Sequence, residues 1–217
     1  MEQSGNKPKY DVKKALRTLY APGRNFTLVD VPRQQFLAVD GHGNPNTSAE
    51  YAAAVEALYS VAYTLKFAAR RSTGRDAVVG PLEGLWRAEN PEVFTAGNKD
   101  SWDWTMLISQ PEWITPDLAE DAAAEVQAKK KLDAAGQLRW LVLTEGLSVQ
   151  VLHIGPYDDE APLLAKLHSE FMPANNLGFN GDHHEIYLGD PRRTAPGKLK
   201  TILRQPVRRR KRNSAEK

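Results

Sequence analysis

The residues of this 217-residue chain best suited to chemistry lie in one short extended segment near its carboxyl end. Side chains alternate between the two faces of a strand, so Glu185 and Tyr187 share one face, while His184, Ile186 and Leu188 lie on the other. The two apolar residues mark that second face as core. A carboxylate and a phenol on one face can activate water as a general base and donate a hydrogen bond to a developing oxyanion.

Glu185 has two interpretations. An acid beside an aromatic ring on a half-buried strand is costly unless it binds a ligand or takes part in chemistry. Alternatively, Glu185 lies at a solvated sheet edge or forms an ion pair with Arg192 or Arg193. The spacing alone does not distinguish these interpretations.

Other kinds of chemistry find little support in the sequence. The adjacent histidines His183 and His184 would point to opposite faces of a strand, and no pair of histidines has the helical spacing of a metal site. The chain has no cysteine, no Gly-x-Ser-x-Gly nucleophile motif, and no phosphate-binding loop or dinucleotide fingerprint. The sequence therefore predicts neither a metal nor a cofactor.

The composition, with 41% hydrophobic and 26% charged residues, is typical of a globular protein. The length suits one large domain or two small fused units. No apolar run approaches the roughly 20 residues of a membrane span, and the polar first residues do not resemble a signal peptide. Absence of cysteine fits a reducing compartment, so we expect a cytoplasmic protein without membrane contact.

The formal net charge of +2 conceals an asymmetry. Residues 204–217 carry seven Lys or Arg and one acid, whereas the rest of the chain has a net charge of −4. A basic tail can add salt-sensitive affinity for nucleic acid or acidic surfaces, but such tails are more often disordered and solubilising. We predict a disordered segment 1–9, a folded domain 10–207 and a basic disordered tail 208–217, with at most weak nucleic-acid contact by the tail.

Hydrophobic periodicity predicts the secondary structure. The predicted strands are Phe26–Val31, Gln35–Asp40, Pro81–Ala88, Ser101–Gln110, Leu138–Thr144, Leu147–Ile154, His183–Asp190 and Leu199–Val207. The predicted helices are Tyr10–Tyr20, a long helix that follows a capping box at Thr47–Glu50, a helix that begins at Thr115-Pro116, and one capped by Asp158 or Asp159. Glu145-Gly146 indicates a hairpin.

The order of these elements contains two strand–helix–strand–strand units, although no repeat is visible in the residues themselves. We therefore predict an α+β fold with two such repeats in a pseudo-twofold arrangement. Its antiparallel sheets would carry the helices on one side, and a groove between the halves is the expected ligand site.

Several segments resemble a known family, the GyrI-like small-molecule-binding domain proteins, and in particular its stand-alone bacterial members of about this length. These segments are Asp30-Val31-Pro32, Phe36–Pro45, Pro81–Trp86, His153–Tyr157 and Tyr187–Arg193. They occur in the family's order, and the resemblance spans roughly Tyr10–Val207.

The resemblance implies a pair of repeats about a pseudo-twofold axis and a groove that binds bulky aromatic, often cationic or reactive, small molecules. In members fused to transcription regulators, a glutamate in the groove contacts the drug, and that position falls on Glu185. Some stand-alone members hydrolyse cyclopropane-bearing, DNA-alkylating natural products. The family name reflects inhibition of DNA gyrase by another member.

Opening a cyclopropane fused to a cyclohexadienone with water needs a flat aromatic box, a carboxylate and a hydrogen-bond donor. Glu185 is the candidate base, and Tyr187 or His153 could donate to the phenolate oxygen. The candidate aromatic residues of the site are Tyr63, Trp86, Trp102, Trp104 and Tyr157. Each tryptophan could equally be core, and Trp113 and Trp140 are predicted to be structural.

Three hypotheses therefore remain open. The first is a hydrolase of cyclopropane-bearing aromatic toxins in which Glu185 is central. The second is a non-catalytic module that sequesters or senses hydrophobic cations. The third is an inhibitor of a DNA enzyme that makes contact through Arg208–Arg212.

Overall fold

The chain folds as two strand–helix–strand–strand units that join at their inner strands. The computed structural model describes residues 8–87 and 99–211. The strands in these ranges are β1 (Thr27–Val31), β2 (Gln34–His42), β3 (Leu82–Arg87), β4 (Asp103–Gln110), β5 (Arg139–Leu143), β6 (Gly146–Ile154), β7 (Leu177–Phe179), β8 (His183–Tyr187) and β9 (Lys200–Arg209). The helices are α1 (Val12–Ala15), α2 (Arg17–Tyr20), α3 (Ala49–Thr73), α4 (Pro116–Lys130), α5 (Ala161–Lys166) and α6 (Met172–Ala174), with a π-helical turn, Leu167–Phe171, between the last two.

All the pairings between these strands are antiparallel, in the order β1-β6-β9-β8-β3-β4-β2-β5, and β7 adds to the end of β9. The units β2-α3-β3-β4 and β6-α5-β8-β9 thus have the same internal strand order. Their inner strands β3 and β8 pair at the seam, where Gly84 lies opposite Glu185. The predicted α+β class and the two repeats are confirmed, with the two halves joined into one sheet.

The hairpin predicted at Glu145-Gly146 is wrong. β5 pairs with β2, whereas β6 pairs with β1 and β9. Val31 pairs with Gly146 and Gln34 with Leu143, so the same register continues from one ladder into the other. The chain therefore runs on through Glu145 rather than reversing, and Pro32, which has no N–H to donate, lies at the interruption.

The long helix α3 begins one residue later than the predicted capping box implies. Ser48, not Thr47, is the N-cap, since its hydroxyl accepts a hydrogen bond from the Tyr51 amide at 3.2 Å. Gly74 ends the helix in the left-handed region with φ 68°, which glycine adopts without strain. At α4, the predicted Pro116 occupies the first turn, and the side chain of Thr115 caps the helix.

The helices α3 and α4 cover one face of the sheet. Leu58, Ala62, Leu65 and Ala69 recur at helical spacing along α3, and all four are buried in the core cluster that includes Val39 of β2. The short helices α1 and α2 pack on the opposite face, against Ile186 and Ile202. No helix in the described part of the chain combines the length and apolar character needed to cross a membrane.

A network of buried charges lies on the face that α2 covers. His184 of β8 contacts Glu83 of β3 through Nε2 and Glu145 through Nδ1, each at 3.0 Å. Arg204 of β9 donates to Glu145 at 3.1 Å and to the Leu19 carbonyl at 3.0 Å. His184 and Arg204 are fully buried, so the network consists of two acids and two bases with almost no access to water.

The protonation of His184 follows from its two carboxylate partners. Burial opposes the imidazolium, but Glu145 and Glu83 outweigh it and raise the pKa of His184 to about 9. The same contacts hold the pKa of Glu145 at about 2 against the effect of burial. His184 is therefore protonated and Glu145 is ionised near neutral pH.

The boundary predicted for the basic tail needs correction. Arg204 is fully buried, and Arg208 and Arg209 belong to β9, where they pair with Gly178 and Leu177. The amide of Arg210 donates to the Asn176 carbonyl at 2.9 Å. Backbone pairing with β7 thus orders the first residues assigned to the tail. The rest of that segment, residues 212–217, and residues 1–7 lie outside the described ranges.

Replacing one member of the buried network should destabilise the fold strongly. Arg204→Leu leaves Glu145 buried with less compensation, so we expect it to lower the free energy of unfolding by about 3–5 kcal/mol. The matched control, Arg208→Leu, alters an exposed position on the same strand and should change it by about 0.5 kcal/mol or less. Urea denaturation of both variants checks this; equal effects would contradict the role given to the network.

Candidate active site

Glu185 and Tyr187 lie on the face of β8 that α3 and α4 cover, and both share this face as strand alternation predicts. A hydrogen bond joins the two side chains. The Tyr187 hydroxyl donates to Glu185 Oε2 at 2.8 Å, and Trp86 Nε1 donates to the Tyr187 hydroxyl at 3.0 Å. A side chain at Gly84 would meet Trp86 Nε1 at 3.0 Å and the end of Met106 at 3.2 Å. Glycine opposite Glu185 therefore gives the indole room to reach Tyr187.

The structure decides between the two interpretations of Glu185. β8 lies between β3 and β9, so Glu185 is not at a sheet edge, and its side chain is only 12% exposed. Arg192 and Arg193 pair instead with Asp190, at 3.0 Å and 3.9 Å. The nearest base is His183, whose Nε2 lies 3.4 Å from Glu185 Oε1. Glu185 is thus a largely buried acid at the centre of the sheet.

Three of the predicted aromatic residues surround this pair. The Trp86 ring packs edge-on against Trp102 with ring centroids 5.4 Å apart. The Tyr157 ring packs edge-on against Tyr187 at 5.5 Å. Lys99 Nζ lies 5.9 Å from the centroid of the Trp102 ring. The first repeat supplies the two indoles, and the turn before α5 supplies Tyr157.

The remaining predicted residues have other contacts. Trp104 lies opposite Trp86 in the β3–β4 ladder and is fully buried, against Gly41 and the edge of Tyr51. Tyr63 is 50% exposed on α3. His153 is buried on β6, with its Nε2 3.0 Å from the Pro156 carbonyl oxygen, so this contact occupies one ring nitrogen. The structure thus does not place Trp104, Tyr63 or His153 in direct contact with the Glu185–Tyr187 pair.

The sequence analysis missed a second acid, Glu160, which is 4% exposed. Asp158 and Asp159 were predicted to cap the helix, but they form a 3₁₀ turn, and Glu160 directly precedes α5 without a side-chain cap. Tyr51 of α3 also lies near the site, since burial and then the charge of Glu185 raise its pKa. The sequence did contain a signal for Glu160. Three consecutive acids precede the helix, and because only one of them can cap it, the others are free for another role.

Comparison with known proteins identifies the family. The model of the GyrI-like small-molecule-binding domain matches residues 24–208. The chain belongs to the GyrI-like family. This confirms the resemblance drawn from the sequence motifs, while a search of curated protein sequences returned no match.

Solved structures of GyrI-like proteins share the fold closely. A conserved protein from Listeria innocua has 40% identity and a TM-score of 0.83, with 92% of this chain and all (100%) of that chain covered. A Listeria innocua protein described as a hydrolase has 38% identity and a TM-score of 0.82, with 93% and 100% covered. The C-terminal domain of EcmrR has 11% identity and a TM-score of 0.56, with 86% and 98% covered, and shows the fold alone.

The phenols of this GyrI-like site are held neutral. Burial and then the charge of Glu185 raise the pKa of Tyr187 well above its usual value. Burial, followed by Glu160 and Glu185, raises the pKa of Tyr157 to about 12. The site therefore combines hydrogen-bond-donating phenols and indoles with one carboxylate already engaged by Tyr187. Such a site can bind a flat ligand, hold a cation or activate water next to the ligand.

Glu160 differs from Glu185 in its protonation. Burial, and second the charge of Glu185, raise the pKa of Glu160 from 4.5 to about 9. The folded protein thus keeps the proton at neutral pH, whereas the unfolded chain releases it. Because the unfolded state binds fewer protons, this group lowers stability as the pH rises from about 4.5 towards 9.

Glu160→Gln should therefore stabilise the protein, and by more at higher pH. Between about pH 5 and pH 8 we expect the difference in unfolding free energy between variant and wild type to grow by about 4 kcal/mol. Chemical denaturation at the two pH values measures this difference. Asp159→Asn, which changes an exposed acid in the adjoining turn, is the control and should show no such growth. A constant difference for Glu160→Gln would mean that Glu160 is ionised in the folded state.

Proposed function

We propose that this GyrI-like protein binds a flat, reactive aromatic compound and hydrolyses it, with cyclopropane-bearing DNA-alkylating compounds as the substrate class. The observation that carries the proposal is the relay Trp86–Tyr187–Glu185, a buried acid held in one orientation by a phenol that an indole in turn holds. The hydrolase descriptions of Listeria innocua proteins at 37% and 38% identity support hydrolysis as the reaction type.

The substrate would lie between α3 and the turn before α5. Its polycyclic body would stack on Trp86, Trp102 and Tyr157, since aromatic faces hold flat ligands by contact area and by edge-to-face packing. Largely buried walls would also exclude bulk water, so that the molecule of water that reacts is the one next to the acid.

Glu185 would act as the general base. Its carboxylate would take a proton from water as the oxygen attacks a cyclopropane carbon, a contribution typically worth about 100- to 10,000-fold in rate. Tyr187, through its hydrogen bond of 2.8 Å, would keep the carboxylate oriented. Release of ring strain and formation of an aromatic phenol drive the reaction, so this modest machinery would suffice.

A second candidate function is binding without turnover. One carboxylate among neutral aromatic rings attracts a hydrophobic cation by charge and by cation–π contact. Each cation–π contact would contribute about 0.5–2 kcal/mol to the binding free energy. The same residues, Glu185, Trp102 and Tyr157, would form that site. Product formation separates the two functions, because only the hydrolase converts its ligand.

Glu185→Gln tests the proposed reaction. We expect incubation of the wild type with a cyclopropane-bearing DNA alkylator to give a ring-opened, water-added product, and the variant to form it at least about 100-fold more slowly. Liquid chromatography with mass detection measures both. Glu170→Gln, at an exposed position, is the control. Quenched tryptophan fluorescence with unchanged compound would leave a binding protein and reject hydrolysis of that substrate class.

Tyr187→Phe tests the orienting role of the phenol. Because it removes one hydrogen bond to a charged group and leaves Glu185 in place, turnover should fall by about tenfold, far less than in Glu185→Gln. The dissociation constant, measured by tryptophan fluorescence, should change little. A loss as large as that of Glu185→Gln would indicate that Tyr187 itself transfers the proton to the substrate.

A further inference from the structure

The site contains a second acid to which neither the family comparison nor the proposed reaction gives a role. Glu160 directly precedes α5, where a helix normally has a capping side chain, as Ser48 has before α3. Glu160 makes no such cap. Its Oε1 atom is buried and has no hydrogen-bond partner within residues 8–87 and 99–211. A buried polar atom without a partner is costly, which indicates a role for it with a ligand.

We propose that Glu160 donates a hydrogen bond, and during the reaction a proton, to the carbonyl oxygen of the bound dienone. This inference rests on the proposed function, since it names the acid that complements Glu185 as base. The partner it requires is a ligand with a carbonyl oxygen conjugated to the reacting ring. Ligands of the second candidate function, hydrophobic cations, offer no such acceptor.

The other candidate donors have their protons committed elsewhere. The Tyr187 hydroxyl donates to Glu185 and accepts from Trp86, so donation to a substrate would break the contact that orients the base. His153 Nε2 lies at hydrogen-bond distance from the Pro156 carbonyl oxygen, which can only accept, so that nitrogen carries the proton and donates it there. Of the three groups, Glu160 is the one with an uncommitted oxygen.

The surroundings of Glu160 keep it protonated. The groups that act on it are Glu185, Tyr187, Tyr157, Asp158, Lys99 and Thr201. Burial and then the negative charge of Glu185 raise its pKa to about 9, while the Thr201 side chain, followed by the charge of Lys99, lowers it by less. Lys99 is itself paired with Asp158 at 2.7 Å. Glu160 is thus held as a protonated acid close to Glu185, which suits it to the role of proton donor.

The proposed step balances in atoms and charge. Glu185 accepts one proton of water while the water oxygen forms a bond to the cyclopropane carbon. The strained C–C bond breaks, its electron pair enters the dienone ring, and the carbonyl oxygen takes the proton of Glu160 to become a phenol. Transfer of the proton from Glu185 back to Glu160, directly or through solvent, restores both acids. The net reaction adds one water to the substrate without a redox change.

The first experiment tests proton donation during turnover. In single-turnover reactions with a cyclopropane-bearing alkylator, Glu160→Gln should react at least about 100-fold more slowly than wild type. Its dissociation constant should stay within about threefold, because the amide can still donate a hydrogen bond. The wild-type rate should fall above about pH 9, and the variant should lack this decline. Asp159→Asn should behave as wild type.

The second experiment does not depend on turnover. Infrared difference spectroscopy at neutral pH should show a protonated-carboxyl band that Glu160→Gln removes and Asp159→Asn keeps. Binding of a stable aromatic-fused cyclohexadienone without the cyclopropane ring should shift that band, as a new hydrogen bond to a carbonyl requires. Absence of the band, or a band that the dienone leaves unchanged, would overturn the proposal.

The two experiments separate failure of this inference from failure of the proposed function. If Glu160→Gln hydrolyses the alkylator as fast as the wild type does, the protein is a hydrolase but Glu160 is not its acid. If the wild type forms no product but its carboxyl band shifts when the dienone binds, hydrolysis of this substrate class is rejected, and Glu160 still donates to a ligand carbonyl.

Discussion

The position of the candidate site depends on the contact of His184 with Glu83 and Glu145 on the opposite face of β8. Neighbouring residues of a strand point to opposite faces, so anchoring His184 in the ionic network also fixes Glu185 and Tyr187 towards the helices. A one-residue slip of β8 would exchange the two faces and bury His184 among the aromatic rings. The network thus sets the register that builds the site.

The buried acids have different kinds of partner on the two faces of the central strands. On the network face, two acids meet two bases, and each acid has a partner at about 3 Å. On the site face, Glu185 accepts a hydrogen bond from Tyr187 at 2.8 Å and lies 3.4 Å from His183 Nε2, whereas the Oε1 atom of Glu160 has no hydrogen-bond partner within the described residues. Paired charges serve the fold, because their desolvation is offset within the protein. A buried acid with less compensation, such as Glu160, reduces stability.

Local patterns were sufficient for the repeats and for the shared face of Glu185 and Tyr187, because strand alternation and helical spacing are properties of neighbouring residues. They failed where a long-range contact decides. Arg204 was counted with the charge of the basic tail, and Glu145 was predicted to lie in a hairpin turn, yet both are buried by partners far away in the sequence. Glu160 was missed for the same reason, since an acid before a helix is usually solvated. Trp104 is fully buried, and because core and site use the same type of residue, the sequence alone could not assign it to either.

The two repeats of the pseudo-twofold arrangement contribute different kinds of side chain to the site. At the seam, Gly84 and Trp86 of the first repeat face Glu185 and His183 of the second. The helix starts differ in the same way, with Ser48 capping α3 and Glu160 left uncapped before α5. The first repeat therefore supplies Trp86 and Trp102, whereas the second supplies both acids together with Tyr157 and Tyr187. A ligand in this site would rest its flat body on one repeat and turn its reactive, polar end towards the other.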